Sequence, residues 1–403
     1  MRVLLSLDTV LSCSLAYFFR VFGVVTVKKK SRAKKKPPHK KNRIRRVGIL
    51  TGGGDCPGLN AVIRAVAKTL ITETGAGIVG IRDGFYGLVM GQARELSYLD
   101  VSGILTQGGT ILGSSNKDNP FDFYLPVGPK VVRKDCSKMA LANYKKWKLD
   151  ALVCLGGDGT MFVANRLIKM GMNIVGVPKT IDNDLAETDR TFGFDTAVSV
   201  VTEAVDRVHS TAASHHRCLV VETMGRYAGW IALYAGVAGG ADIILIPEIP
   251  FNPEAVCEVV SSRYNRRKYA TIIVVAEGAM PRGGKAVVER EISDSPDPVR
   301  LGGISKVVAD LVEKRTGVES RAIILGHVQR GGTPTAFDRA LATRYGYRAA
   351  QLVAKGRFGR IPVLKGNRIT DVPIRRIAGK VRKVARNNPL IKAARGVNTS
   401  FGV

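Results

Sequence analysis

The sequence lacks the cysteine patterns of metal-binding proteins and of disulfide frameworks. Its six cysteines form no CxxC pair and show no metal-ligand spacing, and several lie within apolar, strand-like runs. Cysteines of this kind suit small core positions in a reducing compartment. We therefore expect a cytoplasmic protein without structural disulfides.

The sequence also lacks a long, uninterrupted hydrophobic run. The best candidate, residues 10–27, is broken by Arg20 and preceded by Asp8, so it is too short and too charged to span a membrane. No small-residue cleavage site separates it from the basic run that follows, which argues against a signal peptide. We predict no membrane span. We interpret residues 1–46 as a basic extension that is disordered or not native, with a membrane anchor or a targeting presequence as alternatives.

Acidic residues are scarce, since 33 Asp and Glu stand against 62 Lys and Arg, which gives a net charge of +29. Residues 1–46 hold 14 Lys and Arg and the single acid Asp8, so much of the excess is concentrated there. No basic motif interleaved with aromatic residues is present. A diffuse positive charge suits anionic, phosphate-bearing ligands. We predict no specific nucleic-acid partner, and polyanion binding by the extension remains the alternative.

What is present is an alternating pattern of apolar strands and amphipathic helices that starts near Arg46. With 403 residues and 45% apolar content, the chain can bury a large core, and its length favours two domains. The segment RRVGILT predicts a strand, and AVIRAVAKTLITETG has helical spacing. We predict an α/β fold with a mostly parallel sheet.

Two polar motifs follow apolar strands. GGDGT follows the strand at residues 151–155, and PKTIDND follows the strand at residues 173–177. Because ligands bind at the carboxyl ends of parallel strands, we expect Asp158, Asp182 and Asp184 to share one crevice. Glycines with a metal-binding aspartate suit a polyphosphate, and Asp182 suits a general base. Helix capping by Asp158 and an Asx turn at Asn183 are the structural alternatives.

A third polar motif, TGGGDCPGLN, follows the first predicted strand. Gly52 to Gly54 predict a phosphate-binding turn before a helix, and Asp55 and Pro57 predict its cap and first turn. No Gly-Lys-Ser/Thr follows, so this is not a Walker loop. Arginines beside apolar strands, namely Arg217, Arg226, Arg321 and Arg330, suit a phosphate monoester, and Glu277 is a candidate acceptor for sugar hydroxyls.

The ordered motifs GGGDCPGLN, GGTILGS, GGDGT, PKTIDND, GFDTA, ETMGRYAGW, PEIPF, AEGA and LGHVQRGGTP resemble those of the 6-phosphofructokinase family. The resemblance extends from Val47 to about Gly379. It implies phosphorylation of the 1-hydroxyl of fructose 6-phosphate with Mg²⁺. It also implies two similar Rossmann-like, three-layer domains with the active site in the cleft between them. We assign residues 47–193 plus about 329–379 to the donor domain, and residues 194–328 plus about 380–403 to the sugar-phosphate domain.

The resemblance also implies roles for individual residues. Asp182 matches the general base, assisted by Thr180 and Lys179, and Asp158 matches the Mg²⁺ ligand. The donor side comprises Gly54, Lys117, Gly157, Asp158, Gly159 and Thr160. The fructose 6-phosphate side comprises Thr180, Ile181, Asp182, Arg217, Met224, Gly225, Arg226, Glu277, Arg321, His327 and Arg330. Arg217 and Arg321 match residues that the family supplies from a neighbouring subunit, so the resemblance implies a homodimer or homotetramer.

The phosphoryl donor is left open between ATP and pyrophosphate. Common bacterial ATP enzymes of the family carry glycine at the positions of Gly159 and Lys179, whereas pyrophosphate enzymes carry aspartate and lysine. Because a glycine at 159 leaves space for the α-phosphate of a nucleotide, we favour ATP. In this chain Asn116 and Lys117 stand where the family usually has an arginine that bridges the phosphates. A lipid or NAD kinase that shares only GGDGT is the alternative class.

Overall fold

The computed structural model describes residues 44–128, 130–291 and 299–403. Of the predicted basic extension, residues 1–43 lie outside this part, and so does Cys13. The strands are β1 (Arg46–Thr51), β2 (Gly77–Ile81), β3 (Ala93–Leu96), β4 (Phe123–Val127), β5 (Lys130–Lys134), β6 (Ala151–Gly156), β7 (Ile174–Pro178), β8 (Cys218–Thr223), β9 (Ile243–Leu245), β10 (Thr271–Ala276), β11 (Val288–Glu291), β12 (Val299–Leu301), β13 (Ser320–Ile324), β14 (Arg360–Lys365) and β15 (Arg368–Pro373). The helices are α1 (Leu59–Thr74), α2 (Phe85–Met90), α3 (Ser137–Lys146), α4 (Asp158–Lys169), α5 (Phe194–His215), α6 (Trp230–Ala238), α7 (Pro253–Asn265), α8 (Ile304–Thr316), α9 (Ala336–Ala354) and α10 (Pro389–Gly396).

The larger sheet has seven strands in the order β15-β14-β7-β6-β1-β2-β3. Its five inner strands pair in parallel, and the two edge strands β15 and β3 pair antiparallel to their neighbours. Strands β1, β6 and β7 are almost entirely buried because helices cover both faces, which explains why they appear in the sequence as continuous apolar runs.

The smaller sheet has four strands in the order β13-β8-β10-β9, and all of its pairings are parallel. Strands β8 and β10 run in register, with Cys218 opposite Thr271 and Thr223 opposite Ala276. Their carboxyl ends therefore lie at the same edge. Two hairpins, β4–β5 and β11–β12, stand outside both sheets.

Side chains of alternate strand residues enter different cores. In β1, Val47 and Ile49 belong to a core with α1, α5, α6 and α9, whereas Leu50 belongs to a second core with α2, α3 and α4. In β8, Val221 belongs to the first core and Val220 to a third core with α7 and α8. Each sheet thus has helices on both faces. The predicted α/β fold with mostly parallel sheets is confirmed.

The start of α1 differs from the prediction. The N-cap is Gly58, whose φ of 103° is in the left-handed region, and the helix begins at Leu59. A Cβ at position 58 would lie 2.9 Å from the ring of Phe192. The prediction that Asp55 and Pro57 supply the cap and first turn was therefore wrong, because the crowded turn after Pro57 requires a glycine.

The five cysteines in the described part of the chain are buried, unpaired thiols. This agrees with the prediction of core cysteines without a disulfide framework. Across residues 44–128, 130–291 and 299–403, no helix has both the length and the apolar character that a membrane crossing requires.

Candidate active site

The polar motifs follow the carboxyl ends of strands from both sheets. In the larger sheet, β1 leads into Gly52–Asp55, β6 into α4, and β7 into Lys179–Asp184. In the smaller sheet, β8 leads into Met224–Arg226, β10 into Glu277, and β13 into a short 3-10 helix, Gly326–Arg330. This is the edge where parallel sheets bind ligands.

The glycine turn after β1 lies beside a cavity. Gly53 has a φ of 78°, which favours glycine, and a Cβ at Gly54 would lie 2.8 Å from Arg330 Nη1, so the turn passes close to this guanidinium group. The cavity has a volume of about 330 Å³ and is lined by Gly53, Gly54, Asp55, Gly109, Thr110, Ser114 and Asn116. Asn116 thus lies on the predicted donor side. Lys117 is the next residue, and its backbone N–H donates to Ser115 Oγ at 3.2 Å.

GGDGT forms the start of α4. Gly157 is the N-cap and Asp158 is the first helical residue, so the carboxylate lies in the positive first turn of the helix. Thr160 packs over Gly156, where an added Cβ would lie 2.2 Å from the threonine side chain. Gly159, by contrast, is exposed, and a Cβ there would meet no atom within 4 Å. The helix start therefore offers backbone N–H groups and open space to a phosphate.

Lys179 links the turn after β7 to the glycine turn after β1. Its side chain is buried, and Nζ donates a hydrogen bond of 2.5 Å to the carbonyl oxygen of Gly54. Burial lowers the pKa of this amine, and the charge of Arg330 lowers it further. A cation thus lies between two of the predicted phosphate-binding segments.

Asp182 is half-buried beside these cations, and its Oδ1 is shielded from solvent. Its Oδ1 accepts no hydrogen bond from any described residue, and its backbone N–H donates to Thr180 Oγ1 at 3.1 Å. Burial raises the pKa of Asp182, against the opposing charges of Arg330 and Lys179. A buried carboxylate oxygen without a partner is costly unless a ligand uses it, so this atom is a candidate proton acceptor.

The charge of Asp158 acts on both Asp182 and Asp184. Burial raises the pKa of Asp184 to about 7, and the charges of Asp182 and Asp158 add to the shift. Asn183 lies between the two acids with a φ of 51°, and its Oδ1 accepts from the N–H of Thr191 at 3.0 Å. That the three carboxylates share one crevice stays a prediction, which these charge effects support. The structural alternative, an Asx turn, explains the position of Asn183 but gives Asp182 no structural role.

These carboxylates do not form a complete metal cage. Among the described residues, no three His, Cys, Asp or Glu side chains are grouped closely enough to hold a metal ion by themselves. Mg²⁺ in nucleotide sites is held by one or two carboxylates together with substrate phosphates and water. Asp158 in the first turn of α4 fits that role, because both the metal and the phosphates can approach the open side of Gly159.

On the smaller sheet, the loop after β8 lies against the end of β10. Gly225 has a φ of 135°, and Met224 N–H donates to Gln329 Oε1 at 3.2 Å. Burial raises the pKa of Glu277 to about 7, and the charge of Asp182 contributes. Glu277 is therefore close to the predicted base although it follows a strand of the other sheet. Arg226 is half-buried beside Met224 and Gly225.

Arg330 connects the two sheets directly. It ends the 3-10 helix after β13, and its Nη1 donates to the carbonyl oxygen of Asp55 at 3.2 Å. His327, in the same 3-10 helix as Arg330, is exposed. Ile181, a predicted substrate contact in the turn after β7, is fully buried. The carboxyl ends of β1 and β13 thus meet through Arg330, and the charges of Arg330, Lys179 and Asp158 act on Asp182.

Arg217 and Arg321 are the exceptions. Both lie at the amino ends of β8 and β13, where Glu319 Oε1 accepts from Arg217 at 2.9 Å and from Arg321 at 2.5 Å. A six-residue strand is roughly 20 Å long, so these guanidinium groups are far from Met224 at the other end of β8. Within one chain, they do not join the other predicted residues.

Two residues of this region were not predicted from the sequence. Gln329 is completely buried and holds the backbone of Met224, and Arg382 contacts the turn that carries Asp182. Gln329 lies between His327 and Arg330 in a motif that was recognised, so its position in the sequence could have indicated a role at the site. Arg382 lies in a basic segment without a motif, and nothing in the local sequence distinguishes it from neighbouring cations.

Comparison with known proteins shows close relatives. A family model for phosphofructokinase matches residues 46–353. An ATP-dependent 6-phosphofructokinase of Clostridium perfringens is 49% identical over 360 residues, covering 89% of this chain and 98% of that protein. A pyrophosphate–fructose 6-phosphate 1-phosphotransferase of Amycolatopsis mediterranei is 53% identical over 339 residues, covering 84% and 96%.

Solved structures share the fold. Phosphofructokinase from Saccharomyces cerevisiae matches with a TM-score of 0.69 and 31% identity, covering 83% of this chain and 45% of that one. A pyrophosphate-dependent phosphofructokinase from Marinobacter aquaeolei matches with a TM-score of 0.73 at 20% identity, which shows a common fold.

Proposed function

The chain belongs to the phosphofructokinase family, and we propose that it transfers the γ-phosphoryl group of ATP to the 1-hydroxyl of fructose 6-phosphate. The observation that carries this proposal is Asp182, a half-buried carboxylate whose buried Oδ1 has no partner among the described residues. It lies within electrostatic reach of Lys179 and Glu277. The phosphate-binding turns of one sheet and the predicted sugar-binding loops of the other meet around it.

In the proposed reaction, Asp182 accepts the proton of the 1-hydroxyl while the hydroxyl oxygen forms a bond to the γ-phosphorus and the bond to ADP breaks. Lys179 and Arg330 lie where charge develops on the transferred group, and the first turn of α4 adds backbone N–H groups. Glu277 and the Met224–Arg226 loop orient the sugar, so the reacting oxygen is held near the base.

We assign the Mg²⁺ site to Asp158 together with the donor phosphates. Such an ion neutralises charge on the β- and γ-phosphates of a bound nucleotide. The fit rests on the position of Asp158 in the first turn of α4, next to the open space at Gly159.

Pyrophosphate is the second candidate donor. Lys179 favours it, since the pyrophosphate-dependent pattern of the family has lysine at this position, and relatives named for pyrophosphate are 52–53% identical to this chain. Gly159 favours ATP, because a Cβ at this exposed position would meet no atom within 4 Å, which leaves room for a third phosphate. We place more weight on Gly159, because the lysine can stabilise the transferred phosphoryl group of either donor.

A donor comparison tests the proposed function. Purified protein is assayed with fructose 6-phosphate, Mg²⁺ and either ATP or pyrophosphate, with formation of fructose 1,6-bisphosphate as the readout. We expect turnover with ATP and a higher kcat/KM for ATP than for pyrophosphate. A preference for pyrophosphate would overturn the donor assignment only, whereas no turnover with either donor would overturn the function.

We further propose that the active unit is a homo-oligomer in which Arg217 and Arg321 reach the 6-phosphate bound by a neighbouring subunit. The support is their location at the amino ends of β8 and β13, roughly 20 Å along the strands from Met224. The side chains of Arg217 and Arg321 are partly exposed there, so a second copy of the chain can contact them. The assignment of residues 47–193 with 329–379 and of residues 194–328 with 380–403 to two domains, and the cytoplasmic location, remain predictions.

Subunit mixing tests the shared site. Asp182→Asn and Arg217→Ala proteins are each expected to be nearly inactive, but mixed oligomers assemble sites with an intact Asp182 from one subunit and an intact Arg217 from the other. Random pairing in a dimer should restore about a quarter of wild-type kcat, since half of the dimers are mixed and each has one complete site. Each variant carried alone through the same mixing procedure is the control. Verified hybrids without activity would contradict the shared site.

A further inference from the structure

The segment 381–386 connects the turn that carries Asp182 to the start of α6. At one end, Val381 pairs antiparallel with Leu185, and the backbone N–H of Arg382 donates to the carbonyl oxygen of Asp184 at 2.6 Å. At the other end, the N–H of Val384 donates to Glu248 Oε1 at 2.8 Å. The segment therefore contacts elements of both sheets.

The side chain of Arg382 makes the closest connection. Its Nη2 donates to the carbonyl oxygens of Asn183 at 2.7 Å and of Asp189 at 3.2 Å. The guanidinium carbon lies 4.5 Å from the ring centroid of Trp230, the first residue of α6, and the indole N–H of Trp230 donates to the carbonyl oxygen of Arg382 at 2.9 Å. One residue thus bridges the base-bearing turn and a helix of the smaller sheet.

The backbone of the turn that carries Asp182 is held by two contacts at Asn183. Asn183 follows Asp182 directly and has a φ of 51°, in the left-handed region that Asn tolerates better than most non-glycine residues. Its side chain is held by Thr191 and its carbonyl oxygen by Arg382. Arg382 therefore supplies one of the two contacts that hold the peptide next to Asp182; Thr191 supplies the other.

The helix that Arg382 contacts is itself tied to the sugar side. The carboxylate of Glu248 accepts from Gly229 N–H at 3.2 and 3.1 Å, and Gly229 is the N-cap of α6. Gly229 follows the Met224–Arg226 loop by three residues. The same carboxylate holds Val384, so the 381–386 segment is anchored close to the loop predicted to bind fructose 6-phosphate.

We propose that Arg382 is a positioning residue, which fixes the Asp182 turn relative to the sugar-binding loop by bridging the Asn183 carbonyl oxygen and the Trp230 ring. It touches no reacting atom and acts through Asp182. The proposal rests on the proposed function, since it takes Asp182 as the base. A displacement of about 1 Å in a reacting group can cost about 10²-fold in rate, so loss of the bridge should have a measurable effect on turnover.

Three variants test the proposal. Arg382→Gln removes both the charge and the forked guanidinium group, whereas Arg382→Lys keeps the charge. Arg386→Gln is the matched control, because Arg386 is exposed in the same segment and, among the described residues, donates to the carbonyl oxygen of Glu248. For Arg382→Gln we expect kcat to fall about 10- to 100-fold while KM for fructose 6-phosphate changes less than about threefold. Arg382→Lys should recover part of the loss, and Arg386→Gln should stay within about twofold of wild type.

Combination with Asp182→Asn separates positioning from general structural damage. If Arg382 acts through Asp182, adding Arg382→Gln to Asp182→Asn should lower the residual kcat by less than about threefold. The proposal would be overturned if the two substitutions together lowered kcat by the product of their separate factors. It would also be overturned if Arg382→Gln alone kept kcat within threefold of wild type.

If Arg382→Gln does not fold, Arg382→Lys and Trp230→Phe decide the question. Trp230→Phe keeps the aromatic ring and removes the N–H that holds the Arg382 backbone, so kcat should fall about three- to tenfold without a change in KM. Unchanged kcat in both variants would overturn the proposal. An inactive wild type would instead indicate that the proposed function itself is wrong.

Discussion

Asp182→Asn is expected to lower kcat about 10²- to 10⁴-fold, the usual contribution of a general base. The amide has the size of the carboxylate but cannot accept the proton of the sugar hydroxyl. Its fold should survive, because Asp182 Oδ1 has no hydrogen bond to lose among the described residues and the Asp182 backbone contact to Thr180 is unaffected. Steady-state kinetics with ATP and fructose 6-phosphate give kcat, and equilibrium binding of fructose 6-phosphate should stay within a few-fold of wild type.

The matched control is Asp310→Asn, which makes the same chemical change on the exposed face of α8 and should leave kcat within twofold. A kcat for Asp182→Asn within a few-fold of wild type would show that another group accepts the proton. Asp184 would then be the next candidate, since it is a half-buried carboxylate two residues away whose pKa is raised to about 7 by burial.

Gly159→Asp is expected to lower kcat/KM for ATP about 10²-fold relative to that for pyrophosphate. The change adds a carboxylate where the α-phosphate of a nucleotide is expected, and a few kcal/mol of crowding and like-charge repulsion corresponds to about two decades. Pyrophosphate has no third phosphate to place there and should escape most of the loss. The readout is the ratio of the two kcat/KM values before and after substitution.

The Gly159→Asp substitution is expected to leave the fold of the protein unchanged. A Cβ at position 159 meets no atom within 4 Å, and an acid in the first turn of α4 is favourable to the helix, so the protein should fold normally. Gly159→Asn is the control, because it adds similar bulk without the charge and separates crowding from repulsion. An unchanged donor ratio in Gly159→Asp would show that position 159 does not face the donor.

Much of the candidate site could be predicted because its residues directly follow buried strands. The apolar runs before GGDGT and TIDND form β6 and β7, and parallel strands place whatever follows them at one edge. The start of α1 could not be predicted in the same way. Its N-cap depends on the contact of Gly58 with Phe192, which is 134 residues away, rather than on the local preference for Asp and Pro.

By itself, the sequence determined the α/β class, the strands and the polar residues at their carboxyl ends, because hydrophobic periodicity and glycine-rich turns are local properties of the chain. The tertiary structure alone decided which of those ends meet. Arg330 contacts Asp55 across 275 residues, and Arg382 contacts Asn183 across 199. It also placed Arg217 and Arg321 at the amino ends of their strands, away from Asp182. Such contacts depend on how the two sheets pack against each other, and no local pattern of residues encodes that packing.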